Sequence, residues 1–76
     1  MKQEVREQLV NRLKRSEGQV KAVQRMIDDP KTEVKQILIQ LSAVISSLEN
    51  TKIALIEEHT KDKIMASLEN LSDLLK

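Results

Sequence analysis

Seventy-six residues with a net charge of +1, no cysteine and no aromatic side chain make a single small domain, 1–76, that no disulfide can staple. A chain this short buries only about 60% of its unfolded surface and needs a staple or a partner, and its one imidazole, His59, nearly excludes a metal framework. Base stacking on aromatic rings is excluded too. The charged start from Met1 to Glu7 and the lack of a long uncharged apolar run argue against a signal peptide or membrane span, so a soluble, cytoplasmic protein is expected.

The first element is helical by its spacing. Val5, Leu9, Leu13, Ser16, Val20, Val23 and Ile27 recur every three or four residues. Gly18, the only glycine, costs roughly 1 kcal/mol against alanine in mid-helix. It reads either as a close backbone approach or as a tolerated weak spot. Five cations, Arg12, Lys14, Arg15, Lys21 and Arg25, face only Glu17 between residues 11 and 25, a local net of +4. At 100° per residue, Arg12, Arg15 and Gln19 share one strip and Lys14, Lys21 and Arg25 another. Taken alone, these are solvated charges of an amphipathic helix.

Asp28-Asp29-Pro30 should stop this helix, because proline disfavours helical backbone at the residue before it and fits the first turn of the next helix. A turn is expected over residues 28 to 32, with Asp29 or Thr32 as N-cap of the second helix. In that second element Val34, Leu38, Leu41, Ile45, Leu48, Leu55 and His59 trace a heptad-like seam interrupted by Lys52. Ile37, Val44, Thr51 and Ala54 widen it to one side. One neighbouring helix cannot cover so broad a stripe. Helix 1 is expected to take one flank and a second subunit the other. Residues 37 to 59 carry Lys52 against Glu49, Glu57 and Glu58, a net of −2, so the chain has a basic and an acidic segment.

The segment His59-Thr60-Lys61-Asp62-Lys63 holds no glycine or proline, only possible caps at Thr60 and Asp62. Periodicity alone allows helix 2 to run to the C-terminus. A short third helix carrying Ile64, Met65, Leu68, Leu71 and Leu75 is the expectation adopted.

Three stretches in register resemble the CsoR/RcnR family of bacterial repressors. Arg12 to Val20, running on to Arg25-Met26-Ile27, is similar to its RLKRIEGQVRGIxRMI signature; Gln40 to Val44 is similar to QISAV, and Leu55 to His59 to LLEEH. Order and spacing match across most of residues 9 to 63, apart from about one extra residue near Pro30. The resemblance implies an all-α subunit of three helices, with long antiparallel helices 1 and 2 and a short helix 3. It also implies a dimer of four-helix-bundle type, tetrameric assembly, and repression through double-stranded operator DNA. Arg12, Lys14, Arg15, Gln19, Lys21 and Arg25 become the expected DNA-contacting residues.

The departures bear on sensing. The family's sensing cysteine falls at Glu33 or Val34, and the ligand position four residues after the family histidine is Lys63. His59 is what remains of that ligand set. It reads first as a polar residue favoured at a helix C-terminus, and otherwise as a remnant or pH-responsive group. Copper(I) wants thiolates or several imidazoles, so no metal site and no cofactor is expected. The family's copper sensors place a supporting carboxylate in a region expected beyond residue 76. Where family members carry cations after SAV, this chain has Ile45 to Asn50 with none and with Glu49. The competing expectation is therefore an interaction module that modulates a paralogous subunit without touching DNA. No cysteine nucleophile, glycine-rich phosphate loop or recognisable triad points to an enzyme.

Overall fold

A computed structural model describes residues 1–75. It is an antiparallel pair of helices, α1 (Gln3–Asp28) and α2 (Val34–Leu75), with no strand among the described residues. Glu4 in the first turn and Arg25 in the last turn of α1 each complement the helix dipole. The Asp29 N–H closes α1 on the Arg25 and Met26 carbonyls, and the Asp29 carboxylate accepts the Lys31 N–H at 2.9 Å. Asp29 therefore shapes the loop rather than capping α2. Thr32 does not cap it either: its N–H donates to the Asp29 carbonyl, and the N-cap position before α2 falls on Glu33, whose carbonyl accepts from Gln36 and Ile37.

The helices meet along two heptad seams. On α1 it runs through Val5, Leu9, Ser16, Gln19, Val23 and Met26; on α2 through Ile37, Gln40, Val44, Ser47, Thr51, Ala54 and Glu58, all buried or half-buried. At its centre Ser16, 2% exposed, donates to the Arg12 carbonyl at 3.2 Å and shares a 2.9 Å hydrogen bond with Ser47. Because Ser16 spends its proton on Arg12, Ser47 is the donor across the interface. Thr51 donates to the Ser47 carbonyl at 3.1 Å. The buried hydrophobic residues are Leu9, Val23 and Val44.

Helix α1 thus covers the flank of α2 read from sequence as the widening, not the leucine seam. Val34, Leu38, Leu41, Ile45, Leu48 and Leu55 are all exposed, and so are Leu13, Val20 and Ile27 on the adjoining side of α1. The exposed area of 6560 Å² exceeds the roughly 4,700 Å² expected of a folded monomer of this mass. The radius of gyration, 19.3 Å, exceeds the roughly 11 Å of a compact chain of this length.

The expected third helix is not a separate element. Helix α2 continues unbroken through residues 59–63 to Leu75. Thr60 bonds back to the Ile56 carbonyl at 3.0 Å instead of capping a new helix, and Lys61 pairs with Glu58 at 3.7 Å across one turn. With neither glycine nor proline there, nothing opposes propagation. Anchored on Ser16–Ser47, antiparallel pairing sets Val5 opposite Glu58, so the helix beyond Lys61 projects past α1 with every described residue exposed.

Candidate nucleic-acid interface

The six expected DNA-contacting residues all lie on α1, but the fold divides them between two sides. Their strips stand roughly 130° apart around the helix. Arg12, Arg15 and Gln19 line a cleft of 740 Å³ whose other wall is α2, with Ser46, Asn50 and Glu57 among its residues. Lys14, Lys21 and Arg25 lie on the outward side: Lys21 and Arg25 share a shallow depression with Gln24 and Asp28, and Lys14 sits in another with Arg6 and Asn11. All five cations are exposed, while Gln19 is half-buried. Among the described residues the only ion pair is Lys61–Glu58, so none of the five has an ion-pair partner there.

Gln19 stands apart from the cations. It lies on the α1 seam, and its side-chain oxygen Oε1 is buried without a hydrogen-bond partner among the described residues. The α2 wall of the cleft was not part of the sequence expectation. Ser46 and Asn50 are one turn apart and line it with Ala43, Ile53, Ala54 and Glu57. The signal lay in the sequence as the departure at Ile45 to Asn50, where small polar residues stand in place of cations. Gly18 meets nothing within 4 Å of a Cβ built on it, so no close approach among the described residues requires it.

The residues at the family's sensing positions do not fit a soft-metal centre. His59 and Lys63 are exposed one turn apart on α2, and an ammonium group beside a lone imidazole offers copper(I) no second soft donor. Glu33 and Val34 lie at the other end of α2, about 39 Å from His59 along the helix axis. Among the described residues, no group of three or more His, Cys, Asp or Glu side chains is placed to hold a metal ion. No described helix is long and apolar enough to cross a membrane.

Comparison with known proteins adds to this geometry. Residues 5–76 match a family described as metal-sensitive transcriptional repressor. The copper-sensing transcriptional repressor CsoR of Bacillus subtilis (strain 168) is 43% identical over 54 residues, 71% of this chain and 52% of that protein. The copper-sensing transcriptional repressor RicR of Mycobacterium tuberculosis (strain ATCC 25618 / H37Rv) is 44% identical over 48 residues, 63% of this chain and 49% of that protein. The chain spans about half the length of the curated relatives it matches.

Proposed function

This chain belongs to the metal-sensitive transcriptional repressor family, a family of repressors rather than enzymes, and from that premise we propose that it represses transcription by binding operator DNA as an oligomer. The supporting observation is that α1 carries, between residues 11 and 25, five exposed cations with no ion-pair partner among the described residues. Lys14, Lys21 and Arg25 serve the outward side and Arg12 and Arg15 the cleft side, with Gln19 beside them as a hydrogen-bonding group. Phosphate neutralisation by such groups releases counterions, with a salt slope of roughly −0.9 per phosphate. Assembly supplies what a single chain lacks. A second copy covers Leu13, Val20 and Ile27 together with Leu41, Leu48 and Leu55, closing a four-helix arrangement, and pairs of such dimers make the tetramer. The signal that releases DNA is not a soft metal, because the donors at the sensing positions do not suit one.

The test is binding of the purified protein to a labelled fragment from upstream of its own operon, against an unrelated fragment, over a salt series. Selective, salt-sensitive binding is expected, and Arg15→Glu should abolish it without changing the assembled mass. Wild-type affinity in that variant would overturn the DNA assignment. The cation-free stretch Ile45 to Asn50 on the α2 wall favours a second reading, a module that pairs with and modulates a paralogous repressor. Absence of DNA binding, together with co-assembly with such a subunit, would support it.

A further inference from the structure

The cleft between α1 and α2 combines features that solvated surface charges do not share. Arg12 and Arg15 stand one helical turn apart on α1, neither in an ion pair among the described residues. Beyond them along the cleft, the Gln19 Oε1 is removed from water with no donor to satisfy it among the described residues. A buried acceptor in that state carries a desolvation penalty that a bound donor relieves. Across the cleft, Ser46 and Asn50 supply hydroxyl and amide groups that both donate and accept. Glu57, also on the α2 wall, stands about three turns along α2 from Ser46, and its charge disfavours an anion at its own end of the cleft.

We propose that this cleft binds a small phosphomonoester, its phosphoryl group held by Arg12 and Arg15 and a neighbouring hydroxyl donating to Gln19 Oε1 once that side chain turns toward the cleft. Two guanidiniums carried one turn apart can match a tetrahedral dianion better than a single carboxylate, because each can form paired hydrogen bonds to phosphoryl oxygens. The ester side of the ligand supplies the hydroxyl that inorganic phosphate cannot place in the same way. The regulatory consequence rests on the DNA-binding reading: Arg12 and Arg15 cannot serve this ligand and a DNA phosphate together, so occupancy of the cleft competes with the operator. Release is then direct competition at the arginines rather than a metal-driven rearrangement.

The test uses the full chain, glycerol 3-phosphate and inorganic phosphate in titration calorimetry at constant ionic strength, with operator displacement followed in parallel. Glycerol 3-phosphate should bind saturably, at a single site per chain, and more tightly than inorganic phosphate. Arg15→Gln should weaken both by roughly tenfold or more, the loss expected for a charge-assisted hydrogen bond. Gln19→Leu should remove the preference between the two while leaving phosphate affinity in place. Circular dichroism of both variants checks that the helices persist. Non-saturating heats, or equal heats from wild type and Arg15→Gln, overturn the site. DNA binding that glycerol 3-phosphate does not disturb overturns the competition and leaves the repressor reading standing. Saturable ligand binding without any DNA binding does the reverse.

Discussion

Ser16 and Ser47 hold the centre of the hairpin with a hydrogen bond where most helix pairs would place methyl groups. Removing Ser16 leaves the half-buried Ser47 hydroxyl without its partner across the interface, so Ser16→Ala should cost about 1–2 kcal/mol. Adding Ser47→Ala should recover part of that loss, which chemical denaturation of the two single variants and the double variant would measure. Gly18 is the opposite case. With open space around it, Gly18→Ala should stabilise the helix by about 0.5–1 kcal/mol and raise the thermal midpoint at fixed protein concentration. A lower midpoint would mean that another molecule approaches the backbone there. The two readings of Gly18 were inseparable in the sequence because spacing says nothing of which side faces solvent. The cations were legible as a cluster, but not their division between two sides, which depends on where α2 lies.

Within α1 and the loop, the sequence carried its own boundaries. The last helical residue of α1 is Asp28, two residues before the proline that disfavours continuation, and α2 begins at Val34, four residues after that proline. The flank of α2 that α1 covers was not legible. Apolar strength marks the leucine seam, whereas a short loop and the Ser16–Ser47 register select the polar seam beside it. The third helix failed for a related reason: family resemblance implied a break that Thr60, Lys61 and Asp62 do not enforce. Asp62→Pro separates the two arrangements. In a continuous helix it should cost about 3 kcal/mol or more and reduce the helical circular dichroism signal, whereas at the first turn of a separate helix it would be tolerated. The helical extension past Lys61 lacks an α1 neighbour, and its amides should exchange with deuterium faster than those of residues 37–54.

As a whole, the molecule is a 70 Å rod whose richest apolar stripe faces outward. Leu48→Glu should therefore reduce the light-scattering mass to that of a single chain and collapse the helical signal with it. A folded monomer at micromolar concentration would refute the assembly. The wild-type thermal midpoint should climb with protein concentration, as it does when folding and association are one equilibrium. That uncovered stripe also shapes supply. On the proposed assembly, a newly made chain would stay open to proteases until it met another, and the folded population would grow more steeply than in proportion to synthesis. A small change in expression would then be read as a threshold, giving a repressor of this build a dosage response before any inducer acts.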